Sequence, residues 1–171
     1  ERCYYCKAGL LDELAELAAG RGAVVVDGAN ADDAGDHRPG MRAAAERGVL
    51  QPLLAAGVTK AEVRRLARAL GLPTWDAPQQ ACLASRVPYG EPITVEKLAA
   101  VAAAEKALRA LGFRQCRARH HGAVARLEVE PSQLGRALDL REDIARAVHD
   151  AGFTYVALDM DGFRTGSMNE A

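Results

Sequence analysis

From Lys7 to Ala19 the apolar positions Leu10, Leu11, Leu14, Leu17 and Ala18 recur at three- and four-residue steps. That spacing predicts an amphipathic helix with one buried stripe, closed by Gly20. Ala23-Val24-Val25-Val26 is an unbroken apolar run ending at Asp27-Gly28, the form of a buried strand in a parallel sheet. Residues 28–40 are rich in Gly and Asp and read as a loop, followed by a short helix from Met41 to Arg47 and a brief extended piece at Val49–Leu53. Thr59 with Glu62 forms a capping-box pattern opening a helix that carries Val63, Leu66, Ala67 and Leu70 inward. Helix alternating with strand in this way predicts an α/β layered domain.

Residues 73–92 hold Pro73, Pro78, Pro88 and Pro92 and show little periodicity, which marks a junction and a candidate functional loop. Beyond it the pattern changes. Thr94–Leu111 predicts a long helix with Leu98, Val101, Leu108 and Leu111 inward, with Glu105 on its polar side. Phe113–His120 and Ala123–Glu130 predict two strands around a turn at His121-Gly122. Pro131–Leu138 and Arg141–Ala151 read as helices, and Tyr155–Asp159 as a last strand. The order helix, strand, strand, helix, strand predicts a small α+β domain. The expected division is 1–86 and 87–171.

The chain has 171 residues, 49% of them hydrophobic and 26% charged, which excludes a wholly disordered protein. A net charge of -1 supplies no global basic field, so neither nucleic acid nor a membrane surface is an expected partner. No apolar run reaches the roughly 18 residues of a spanning helix. No signal peptide opens the chain, so the expected compartment is the cytoplasm. There the four cysteines are expected to be reduced thiols. Arg far outnumbers Lys, so an isolated Arg carries little information and only clustered Arg residues do.

Four groups of residues could carry chemistry. Asp27, Asn30 and Asp32 follow the first predicted strand, where α/β sheets bind ligands; they suit a nucleotide or hydrated Mg²⁺, or they form an Asx-rich turn. Cys82 lies in a Pro-flanked loop with Ser85 and Arg86. A cation four residues away would favour thiolate, although most isolated Cys residues are small buried hydrophobes. Cys3 and Cys6 make a Cys-x-x-Cys pair without a second pair to complete a zinc site. Arg117 and Arg119 are two apart on a predicted strand, hence on one face. There they could clamp a phosphate or carboxylate, or simply be solvated.

Several segments occur in a telling order: Cys3-Tyr-Tyr-Cys6-Lys7, Asp27-Gly-x-Asn30-x-Asp32-Asp33, Arg38-Pro39-Gly40-Met41 and Leu70-Gly-Leu-Pro-Thr-Trp-Asp76. Ala81-Cys82-Leu-Ala-Ser85-Arg86-x-Pro88-Tyr89-Gly90 and Asp161-Gly-x-Arg164-x-Gly166-Ser-Met-Asn169 complete the set. Over nearly its whole length the chain resembles the LarE family of ATP-dependent sulfur transferases, a branch of the PP-loop ATP pyrophosphatases. The resemblance implies an α/β fold: the C-terminal part of a PP-loop parallel-sheet domain followed by a small α+β domain.

It also implies a role in making the nickel-pincer cofactor of lactate racemase. ATP with Mg²⁺ would adenylylate a carboxylate of a small-molecule nucleotide, a pyridinium dicarboxylate mononucleotide. Cys82 would then attack the activated carbonyl and give up its sulfur, leaving dehydroalanine. On the same resemblance Glu105 is an acidic catalytic residue. Arg117, Arg119, Arg164, Ser85 and Arg86 hold substrate, Asp27, Asn30 and Asp32 lie on the nucleotide side, and the protein assembles as a homo-oligomer. No Ser-Gly-Gly phosphate loop occurs in the sequence, and with a first residue other than Met that loop is expected upstream. The rival readings are an NAD or GMP synthetase-type amidotransferase, which needs no cysteine, and a non-catalytic nucleotide-binding module.

Overall fold

A computed structural model describes residues 1–35, 39–78 and 80–164. The chain divides into two compact units, residues 1–77 and 78–171. The division falls nine residues before the expected 86/87 boundary, so the whole Cys82 segment travels with the second unit.

In the first unit, α1 spans Arg2–Ala19, α2 Pro39–Glu46, α3 Pro52–Ala55 and α4 Lys60–Ala69, with a short 3-10 turn at Ala31–Gly35. α1 begins well before Lys7, because tertiary contacts hold its first turn. Tyr4 Oη donates to Glu46 at 2.5 Å, and the Arg42 guanidinium lies 4.4 Å from the Tyr4 ring centre. α2 approaches closely enough that a Cβ on Gly40 would sit 3.2 Å from Lys7 Cδ. The buried apolar residues here are Ala8, Leu11, Ala43 and Ala44.

Of the rest of the predicted stripe, Leu10, Leu14 and Leu17 are exposed, Leu10 and Leu17 by more than half, and Ala18 is partly buried. The capping box of α4 forms as expected, Thr59 Oγ1 accepting from Glu62 N and Glu62 Oε2 from Thr59 N. Yet Leu66 and Leu70 also face solvent. Val26 makes a parallel bridge to Leu50, but Val24 and Val26 are exposed rather than buried. The pairing direction was legible from sequence, whereas burial requires a covering layer that the described residues of this unit do not supply.

The second unit is built on α5 (Val95–Ala110), β1 (Cys116–His121), β2 (Val124–Val129), α6 (Leu134–Asp139), α7 (Arg141–Asp150) and β3 (Tyr155–Leu158). Thr94 Oγ1 caps α5 by accepting from Lys97 N. β1 and β2 form the expected antiparallel hairpin, turned by Gly122 at φ 60°, a left-handed conformation that costs a glycine little. β3 joins β2 in parallel after the α6–α7 crossover, giving the sheet order β1-β2-β3.

Successive strand residues point to opposite faces. One face sends Cys116, Ala118, Ala125, Leu127 and Val129 into a core with Val101, Ala104 and Leu108 of α5, Ile144 and Val148 of α7, and Phe113 and Phe153. The opposite face carries Arg117, Arg119, Arg126 and Glu128, since Arg117 pairs with Glu128 and Arg119 with Arg126 across the hairpin. No helix among the described residues is long and apolar enough to cross a membrane.

Candidate active site

Cys82 precedes a 3-10 turn at Leu83–Arg86, and its side chain is exposed. The turn forms because the Cys82 carbonyl accepts from Ser85 N at 3.0 Å and from Ser85 Oγ at 2.7 Å. Arg86 Nη1 reaches the same oxygen at 3.2 Å, the Ala81 carbonyl at 3.1 Å and Ser85 Oγ at 2.9 Å. Its remaining nitrogens hold Glu105 of α5, Nε to Oε1 at 2.7 Å and Nη2 to Oε2 at 3.3 Å. Arg86 is only 2% exposed, so this guanidinium is an internal clasp between the Cys82 turn and the long helix.

Glu105 is likewise buried rather than on the polar side of α5. It lies four residues after Val101 and three before Leu108, within the helix's buried stripe. Its carboxylate also accepts from Ala118 N of β1 and from Arg109, each at 3.3 Å. A carboxylate so engaged holds Arg86 in place.

A second clasp comes from the sheet. Arg119 grips Glu128 with two hydrogen bonds of 2.9 Å, and its third nitrogen donates to the Ser85 carbonyl at 3.0 Å. Arg119 and Arg126 stand directly opposite each other, an unfavourable placement for like charges. Glu128, with no exposed surface, lies against both, 3.2 Å from Arg126 Nη2. Arg126 also pairs with Asp159, just after β3.

Arg117 donates to the Cys116 carbonyl at 2.8 Å and lies 4.9 Å from the centre of the Phe163 ring. Burial, then the nearby Arg86 guanidinium, draws its pKa below the usual arginine value. Arg164 is half-exposed and pairs with Asp161 at 3.4 Å. Burial, reinforced by the Glu105 charge, pushes the Cys116 thiol up to about 11, which leaves it an inert core thiol, in contrast to the exposed Cys82.

The fold therefore brings Cys82, Ser85, Arg86, Glu105, Arg117 and Arg119 together in one unit, with Arg164 on the segment carrying Phe163. The sequence reading missed Glu128, and it gave Arg126 and Asp159 no definite role. The alternation of Val124, Arg126 and Glu128 along a strand placed those charges on one face, and that was the available signal. Arg38 and the residues after Arg164 in the quoted motifs lie outside the described residues.

Asp27, Asn30 and Asp32 belong to the first unit, where Asp27 and Asp32 tie their loop to α1, Gln51 and the start of α4. The Asp27 carboxylate takes Lys7 Nζ at 2.7 Å, Ala29 N at 3.0 Å and Gln51 Nε2 at 3.3 Å. Asn30 Oδ1 accepts from Asp32 N, and Asn30 Nδ2 donates to Asp33. Asp32 in turn accepts from Lys60 N at the start of α4. No group of three His, Cys, Asp or Glu side chains among the described residues could hold a metal ion. Asn30 and Asp32 form an Asx-type turn, with Asp27 tied to Lys7 and Gln51.

Burial acts to raise the Asp27 pKa, but Lys7, Ala29 N and Gln51 outweigh it, and the net shift is downward. Asp27 therefore stabilises the fold above the ordinary aspartate value of about 4, and the contribution is lost as pH falls through the lower folded value. Asp27→Asn should unfold at a lower temperature than the parent at pH 7, and the gap should close between about pH 4 and 2. Thermal unfolding across that range checks this; a gap unchanged at the acid end contradicts it.

No family model matches the chain. An uncharacterized protein of Synechocystis sp. is 46% identical over 171 residues, covering 98% of this chain and 64% of that protein. The pyridinium-3,5-bisthiocarboxylic acid mononucleotide synthase of Lactiplantibacillus plantarum is 40% identical over 168 residues, covering 98% of this chain and 61% of the synthase. An uncharacterized protein of Methanocaldococcus jannaschii is 30% identical over 166 residues, covering 96% and 65%. The chain thus spans less than two thirds of the length of each relative it matches.

Proposed function

We propose that this chain is the sulfur-donating portion of a LarE-type sulfur transferase acting on a pyridinium dicarboxylate mononucleotide, in synthesis of a nickel-pincer cofactor. The observation that carries the reading is the exposed Cys82, mounted on a turn whose carbonyls are held by two buried arginines. An exposed thiol on a rigid turn, next to a strand face rich in guanidinium groups, suits attack on an activated carboxylate of an anionic substrate. Similarity to the plantarum synthase supports the substrate class. PP-loop activation by ATP is proposed for the whole polypeptide.

In the proposed reaction, Cys82 Sγ attacks the carbonyl carbon of an acyl adenylate. A C–S bond forms, the bond from that carbon to the phosphate oxygen breaks, and AMP leaves. A base then removes the Cys82 Cα proton and the Cβ–S bond breaks. Its electron pair stays on sulfur, giving the thiocarboxylate, and dehydroalanine remains at position 82. Arg117 and Arg164 are the proposed holders of the substrate's phosphate and carboxylates, while Arg119 steadies the Ser85 turn.

Intact mass of the full-length polypeptide after turnover with ATP and the dicarboxylate tests the reading. The expected result is a loss of about 34 Da, the mass of H₂S, mapped to Cys82. Thiocarboxylate product formed with the protein mass unchanged would sink it, and amidated product would favour the ammonia-using synthetases instead.

A further inference from the structure

The Cys82 carbonyl oxygen collects three donors, Ser85 N at 3.0 Å, Ser85 Oγ at 2.7 Å and the Arg86 guanidinium at 3.2 Å. A 3-10 turn requires only the first of these. A buried cation and a hydroxyl converging on the carbonyl of the one residue proposed to lose its side-chain sulfur need a chemical reason.

Resting on the sulfur-transfer reading above, we infer that Ser85 and Arg86 form an oxyanion-type hole for Cys82's own backbone carbonyl and catalyse cleavage of its Cβ–S bond. This gives the two residues a role in the elimination, in place of direct contact with the substrate. Breaking Cβ–S by elimination first requires loss of the Cα proton, which is only weakly acidic in a peptide. Once that proton has passed to a water-borne base at the exposed turn, its electron pair is delocalised onto the Cys82 carbonyl oxygen as an enolate. Donors fixed where negative charge develops stabilise it more than they stabilise the neutral carbonyl. The enolate then collapses to the Cα=Cβ double bond, and the Cβ–S pair departs on the acylated sulfur as thiocarboxylate. No external oxidant or reductant enters.

The surrounding residues fit this task. Arg86 is buried, so its charge acts through little water, and Glu105 fixes its orientation without touching the carbonyl. Arg119 holds the Ser85 carbonyl at 3.0 Å, which keeps the turn from opening as charge builds. Glu105 and Arg119 are thus positioning residues, and Ser85 and Arg86 touch the reacting group. Cys3 and Cys6, exposed thiols on α1, provide comparators within the same chain.

The elimination can be examined without ATP or substrate. A dihalide reagent that alkylates a thiol twice turns each exposed cysteine into a cyclic sulfonium, which loses its sulfur by the same Cα deprotonation. Mass mapping over time should show dehydroalanine at position 82 forming about tenfold or more faster than at positions 3 and 6. Ser85→Ala should slow elimination at 82 about tenfold while leaving the alkylation rate unchanged. Arg86→Lys, which keeps the charge but loses the fork geometry, should slow it further.

Equal elimination rates at 3, 6 and 82, or a Ser85→Ala rate equal to the parent's, overturn the inference. In turnover with ATP and dicarboxylate, Ser85→Ala should accumulate the S-acyl Cys82 adduct. If the parent protein forms neither adduct nor dehydroalanine there, the sulfur-transfer reading fails, while the alkylation rates still decide whether the hole exists.

Discussion

Glu105→Ala is expected to destabilise the second unit by about 3–5 kcal/mol, the cost of leaving a buried arginine without its counter-charge. Arg86 is 2% exposed, so solvent cannot take over the lost partner. The substitution also removes the acceptor for Ala118 N and Arg109, and it frees the guanidinium that holds the Ala81 and Cys82 carbonyls. Chemical denaturation should show the midpoint falling with little change in slope. The paired replacement Arg86→Met with Glu105→Leu should recover most of the loss, because a buried ion pair exchanged for well-packed apolar groups is often neutral or better. It should not recover a rigid Cys82 turn, since the two carbonyls still lack their donor. A Glu105→Ala protein as stable as the parent would contradict the clasp.

Cys82→Ala is expected to do the reverse, leaving the fold intact and eliminating sulfur transfer. Its side chain is exposed, and the contacts that shape the turn use its carbonyl, which alanine retains. Stability should therefore stay within about 0.5 kcal/mol of the parent. Thiocarboxylate formation should fall below detection, because the transferred atom itself is missing, whereas losing a supporting group leaves residual rate. Pyrophosphate release by the full-length polypeptide should continue. Product formation by Cys82→Ala at more than a trace would remove the cysteine from the mechanism.

These effects depend on different levels of information. Thr59 with Glu62 specified a capping box that forms as written, because capping is satisfied within three residues. The hairpin around Gly122 was legible for the same reason. Arg117 and Arg119 share a face because alternation along a strand is local geometry. Cys82 stood out by its Pro-flanked context and by resemblance.

Glu105 shows where local reading stops. Its charge argues for solvent, while its position between Val101 and Leu108 argues for the core. Only the arrival of Arg86, nineteen residues away in sequence, makes burial tolerable. Glu128 is buried under the same condition, with Arg119 and Arg126 as its counter-charges. Val24, Val26, Leu66 and Leu70 fail in the other direction. Apolar periodicity states that a face suits burial, but exposure in this unit follows from what lies over it.

By itself, then, the sequence set most of the helices, the hairpin and the shared face of the arginines by spacing along the chain, and marked the candidate thiol by context; the extended piece expected at Val49–Leu53 instead runs into helix α3 at Pro52. The tertiary structure decided which charges are internal, that Asp27 ties its loop to α1 through Lys7, and that Glu105 and Arg119 hold the Cys82 turn in place. Those outcomes follow from desolvation and pairing between residues distant in sequence, whose energies depend on distances that composition and periodicity do not contain.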